Sequence, residues 1–301
     1  MAGYASRGNW ITAALLGAAL LSVPASARAG GESEYGKWLQ EKSPALVTIK
    51  FVLKVKMGGM MGGMGDQESD SEITGVMIDP KGLVLCSNTQ LGGFTGMMRR
   101  FMGPMRGSIT ATPTDIKVLV GDDTEGLEAK VVARDSELDL AWVQIEEPGD
   151  TRFSHCDFAE AATPRIGQRV FAVRRMGKFF DRVAAVAEGR VGGITTKPRV
   201  LYAPSGNLAT GQGLPVFTTD GTVVGVVIIQ MPDTEDAEMN PMSMLGNIFN
   251  MQDMMSGLIL PAAEVVKATK RALETAEADE SAKAEESADA QEPADAEELE
   301  E

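Results

Sequence analysis

Residues 211–229 read GQGLPVFTTDGTVVGVVII. PVF at 215–217 and VVGVVII at 223–229 are rich in β-branched and aromatic residues, and Thr-Asp-Gly at 219–221 separates them. Asp and Gly suit a tight turn, so the stretch reads as two strands joined by a short connection. A glycine-bounded loop stands before the first strand and holds Gln212 at its tip. The layout displays one side chain, and that side chain is an uncharged amide.

The same pattern runs outward in both directions. ALVTIKFVLKV (45–55), ITGVMID (73–79), LVLC (83–86), IKVLV (116–120), LEAKVVARD (127–135) and LDLAWVQI (138–145) form a first block of short apolar runs. A polar connection follows at 146–164, and RVFAVR (169–174) and RVAAVAEGRVGGI (182–194) open a second block. Gly, Pro, Asp or Asn mark the run ends. Many short strands in two blocks predict an all-β sandwich or barrel. PAAEVVKATKRALETA (261–276) breaks the pattern. Its proline suits a first helical turn, and Val265, Val266, Ala268 and Thr269 form a stripe, so a C-terminal helix is expected.

The two ends of the 301-residue chain have other compositions. An apolar run at 11–23 follows a start containing Arg7, and small residues Ala27 and Ala29 come after it. That order predicts a signal peptide over 1–29, and a mature protein in the periplasm or secreted. From Glu274 onward the chain is mostly Ala, Glu and Asp, and this part carries most of the net charge of −15. Self-repulsion and scarce apolar surface predict a disordered acidic tail over 273–301. No basic face is evident, which argues against nucleic acid as a partner. No cofactor is expected. Cys86 and Cys156 are the two cysteines. An oxidising compartment permits a bridge between them, and two buried thiols fit the sequence equally well.

Five stretches, in order and spacing, resemble the trypsin-like serine proteases, and within them the HtrA/Deg-type proteases of cell envelopes. ITGVMIDPKGLVLCSN (73–88) is similar to the strand pair leading to that family's catalytic histidine, and LEAKVVARDSELDLAWVQI (127–145) to the segment bearing its aspartate. Residues 166–194 resemble the start of the second barrel, GQGLPVFTTDGTVVGVVII the nucleophile loop and following strands, and LILPAAEVVKA (258–268) the segment that closes the barrel. The resemblance implies two six-stranded chymotrypsin-fold β-barrels, an N-terminal one over 30–146 and a C-terminal one with its helix over 147–272. The family usually places a PDZ domain after the barrels; here acidic sequence follows.

Serine-protease chemistry needs a hydroxyl nucleophile, a histidine base and a carboxylate that orients the histidine. Carried over by the resemblance, the carboxylate is Asp139, the histidine position falls on Thr89 with Gln90 one residue on, and the serine position falls on Gln212. Neither threonine nor glutamine is a general base near neutral pH. The oxyanion loop also departs from the family: Thr210 stands where glycine is usual, Gly211 and Gly213 flank Gln212, and Leu214 follows. The triad is degenerate, and the expected protein is an inactive homologue that binds a protein or an extended peptide. An active trypsin-like endopeptidase is the alternative. It would need the one histidine, His155, within reach of Ser87 or Ser205. Cys156 and Asp157 adjoin His155, but sequence neighbours do not by themselves have attacking geometry.

Most of the 18 methionines lie in three interruptions at 57–70, 92–107 and about 231–257. Met57, Met60, Met61 and Met64 occupy the first. Met97, Met98, Met102 and Met105 occupy the second. Met239, Met242, Met244, Met251, Met254 and Met255 lie in the third. Thioethers suit Cu(I), which gives a second alternative, a Met-rich periplasmic copper-binding protein. They also suit an adaptable protein-contact surface, or simply pack on one another. Arg99, Arg100 and Arg106 add an amphipathic character compatible with peripheral contact at lipid headgroups. The sequence leaves the oligomeric state open.

Overall fold

The computed structural model describes residues 33–57, 67–96, 109–230 and 257–289. The chain opens with helix α1, Glu34–Lys42. Six strands follow: β1 Leu46–Met57, β2 Gln67–Asp79, β3 Leu83–Ser87, β4 Ile109–Val120, β5 Leu127–Asp135 and β6 Leu140–Ile145. The second six are β7 Arg169–Arg175, β8 Ala184–Ile194, β9 Tyr202–Pro204, β10 Pro215–Thr218, β11 Val223–Ile229 and β12 Gly257–Pro261. Helix α2, Ala262–Asp289, comes last. The sheets close as two six-stranded antiparallel barrels, in the orders β1-β2-β3-β6-β5-β4 and β10-β11-β12-β9-β8-β7. This is the two-barrel, chymotrypsin-like arrangement with a C-terminal helix that the resemblance implies.

Strand periodicity explains how each barrel fills and how the two meet. On β1, Val47, Ile49 and Phe51 point into the first barrel with Val84, Cys86, Ala141 and Val143. The alternate residues Leu85, Leu140 and Trp142 face outward and join Phe171, Phe217, Val226 and Ile228 in a second core between the barrels. Successive side chains of a strand point to opposite faces. Strands β3 and β6 are therefore apolar on both, which is why they read as continuous apolar runs. Val170, Val191, Val216, Val227 and Ile259 fill the second barrel. Gly225 is needed where β11 meets β12, since a Cβ there would lie 1.9 Å from the Leu260 carbonyl oxygen.

Several sequence expectations change. Helix α1 was not anticipated: it buries only Trp38, which stacks on Phe171 at 3.8 Å and donates from Nε1 to the Thr219 carbonyl at 3.1 Å. One buried residue gives no 3.6-residue stripe to read. The first interruption is shorter than 57–70, because Gln67–Asp70 pair with Val52–Val55 and extend the β1–β2 ladder. These residues are exposed, and backbone pairing carries them without an apolar face. On α2, Val265 and Ala268 are buried, but Val266 is 41 % exposed and lies off the stripe. Thr269 does face inward, accepting a hydrogen bond from Trp142 Nε1 at 3.0 Å.

Helix α2 also runs to Asp289, into the segment expected to be a disordered tail. Charge and low apolarity preclude a core, but they do not preclude a helix. Ala, Glu and Lys are strong helix formers, and a helix already nucleated on the barrels propagates at little cost. An exposed Lys270–Glu274 pair at i, i+4 adds slight support. The predicted signal peptide and residues 290–301 lie outside the described residues.

Candidate functional site

The three sequence-predicted positions converge where the barrels meet. Asp139 ends the turn before β6 and adopts a left-handed backbone, φ 54°. Its side chain is only 4 % exposed. Oδ1 accepts from the Thr89 backbone N–H at 2.7 Å. Oδ2 accepts from Ser87 Oγ at 3.0 Å and from the Ile229 N–H at 3.3 Å. Ser87 and Thr89 belong to the first barrel and its outgoing turn, whereas Ile229 ends β11 of the second. The carboxylate thus bridges both barrels. Burial pushes its proton affinity above the ordinary carboxylate range, and donors from Thr89, Ser87 and Ile229 oppose that push without cancelling it.

The turn after β3 decides which side chain faces what. Residues Thr89–Gly93 form a wide helical turn broken at Gly92, φ 91°. Arg134 clamps it, donating from Nη1 to Asn88 Oδ1 at 2.7 Å and from Nη2 to the Leu91 carbonyl at 3.0 Å. Burial lowers the Arg134 pKa. The Asn88 N–H closes the turn onto the Asp139 carbonyl at 3.0 Å. Thr89 is thereby turned to the carboxylate, and Gln90 is turned outward to the cleft.

Gln212 meets that cleft from the second barrel. Its loop leaves the 3-10 turn Gly206–Thr210 and passes through Gly213, φ 79°. The Gly213 N–H donates to the Val227 carbonyl at 2.8 Å, and the Val227 N–H to the Leu214 carbonyl at 3.0 Å. A Cβ on Gly213 would lie 2.7 Å from the Ser87 amide nitrogen, so glycine lets the loop run against the end of β3. The left-handed residue is Gly213 and not Leu214, which is buried and keeps a negative φ. Thr210 turns its hydroxyl to the Asn207 carbonyl at 2.9 Å. Across the cleft, Gln90 Nε2 donates to Gln212 Oε1 at 3.3 Å.

Residues 73–226, just over half of the chain, match the family model described as the trypsin-like peptidase domain. The chain belongs to that family. The matched span runs from β2 into β11 and takes in Ser87, Thr89, Asp139 and Gln212. Among solved structures, the chain is similar to the MamO protease domain from Magnetospirillum magneticum, with 18 % identity, a TM-score of 0.42, and coverage of 76 % of this chain and 97 % of that one. It is also similar to Deg5, with 17 % identity, a TM-score of 0.47, and coverage of 77 % and 90 %. No curated protein matches.

Other candidate groups of this trypsin-like chain do not join the cleft. His155 is exposed on the linker between barrels, with Nδ1 3.3 Å from the Phe153 carbonyl oxygen. Asp157 Oδ1 accepts from the Ala159 N–H at 2.8 Å. Cys156 is buried, and burial raises its thiol pKa to about 12. Cys86 is likewise buried and raised to about 12. Both cysteines are free, and they lie in different cores. Ser205 Oγ donates to the Arg190 carbonyl at 3.2 Å. A cavity of about 300 Å³ opens away from the cleft, lined by Lys42, His155, Asp157, Phe217 and Asp220 among others.

Among the described residues, no group of three or more His, Cys, Asp or Glu side chains could hold a metal ion. The methionine candidates Met60, Met61, Met64, Met97, Met98, Met102, Met105, Met251, Met254 and Met255 lie outside the described residues, as does the side chain of Met57. The sequence carries no signal for the partners supplied by Ile229, Arg134 and Asn88. Ile229 is a backbone donor from the other barrel, which no side-chain motif signals.

Proposed function

We propose that this protein is an exported, catalytically inactive homologue of trypsin-like serine endopeptidases that acts by binding another protein or an extended peptide. One observation carries the reading: the groups bonded to the Asp139 carboxylate are two hydroxyl-bearing residues and a strand N–H, with no imidazole among them. A threonine hydroxyl has no proton-accepting capacity near neutral pH, and the Gln212 amide has no nucleophilic oxygen or sulfur. Rescue by the one histidine would need a hydroxyl beside it. Ser87 is committed to Asp139 and Ser205 to Arg190, while His155 lies against Phe153. Backbone pairing of an extended peptide needs no triad, so loss of hydrolysis leaves peptide binding available to the fold. Export rests on the sequence of residues 1–29.

Incubation with unfolded casein and with a fluorophosphonate probe tests the inactive assignment. The expected result is intact casein and no covalent label. Casein cleavage together with labelling of a serine would overturn it.

A further inference from the structure

We infer that Gln90 and Gln212 form a clasp that reads an uncharged amide of a bound extended peptide, and not a plug that keeps the cleft shut. The inference rests on the proposed peptide-binding function and specifies what that site recognises. The pair is joined by one neutral bond of 3.3 Å on exposed side chains, which a guest breaks cheaply. That bond uses one donor hydrogen of Gln90 Nε2 and one lone pair of Gln212 Oε1. Among the described residues, Gln90 Oε1 and Gln212 Nε2 hold no hydrogen-bond partner. A peptide group offers one N–H and one C=O, the complement of that acceptor and that donor.

The backbones beneath the two amides are fixed. The Gln90 N–H donates to Ser87 Oγ at 3.3 Å, and the residues flanking Gln212 are tied to Leu208 and Val227. The side chains can open without the loops moving, so little ordering is required on binding. Among the described residues, the Arg134 guanidinium is engaged with Asn88 and Leu91, and the Asp139 carboxylate is engaged with Thr89, Ser87 and Ile229, so the pair itself is the neutral group offered to a guest. The chemistry the pair complements is the neutral peptide group of an extended chain.

Fluorescence anisotropy with fluorescein-labelled, reduced and alkylated casein tests this on the full mature chain. Wild type should bind, and Gln90→Ala and Gln212→Ala should each weaken binding about three- to tenfold. Gln212→Glu keeps an acceptor, loses the donor and adds a charge, so it should weaken binding at least as much as alanine. Gln212→Asn, which keeps a shorter amide, should recover part of the loss. If wild type binds but the alanine variants bind equally well or more tightly, the clasp is overturned and peptide binding stands. If wild type does not bind, the peptide-binding function fails and the clasp with it.

Discussion

The two sides of the cleft are held very differently. On the first-barrel side, the Asp139 carboxylate is buried and takes donors from Thr89, Ser87 and Ile229. On the other, Gln212 reaches across to Gln90 through one long, exposed amide bond. Both are places where the family resemblance sets a triad member, yet only one is built into the architecture. Removing Asp139 would leave backbone donors unpaired inside the protein, whereas removing Gln212 returns solvated groups to water. The carboxylate is fixed by folding, and the side chain at the loop tip is not.

The sharpest way to break this contrast is Asp139→Ala. It strands the Thr89 and Ile229 N–H groups, and should cost about 2–4 kcal/mol in urea unfolding. A loss below about 0.5 kcal/mol would mean that the carboxylate is not architectural. A smaller effect should appear in the pH dependence. The Asp139 pKa is raised in the folded state, so between its ordinary and folded values the native protein binds more protons than the unfolded chain. Its contribution is favourable at low pH and is lost as pH rises through the folded value. Across that interval the urea midpoint of wild type should lose ground relative to that of Asp139→Ala as pH rises, the difference isolating Asp139 from carboxylates of opposite shift such as Glu188 and Asp220. The smallest effect is on the other side: Gln212→Ala should shift stability by less than about 0.5 kcal/mol in the same titration.

The contrast also accounts for what was legible beforehand. Residues 127–135 and 223–229 announce β5 and β11 because alternation and β-branching act locally. Strand β9 escapes notice because it has three residues, one of them Pro204. Helix α1 escapes because its single anchor, Trp38, stacks on an aromatic ring far along the chain. At the site, Asp139 stands out from its motif, but the separate roles of Thr89 and Gln90 follow from a turn clamped by Arg134. Sequence spacing places both near the cleft and cannot say which one faces the carboxylate.

Helix α2 has a consequence for the order in which the molecule is made. Its Thr269 accepts the indole hydrogen of Trp142, a residue of β6 in the first barrel, and the helix packs along β5 as well. The last described segment therefore covers a face of the domain synthesised first. During vectorial synthesis, that barrel carries an uncovered tryptophan-bearing wall until residues beyond 262 have emerged. The finished wall of the first barrel is thus completed by the last described element of the chain, so truncation before residue 262 would expose Trp142 on a barrel whose own six strands are all present.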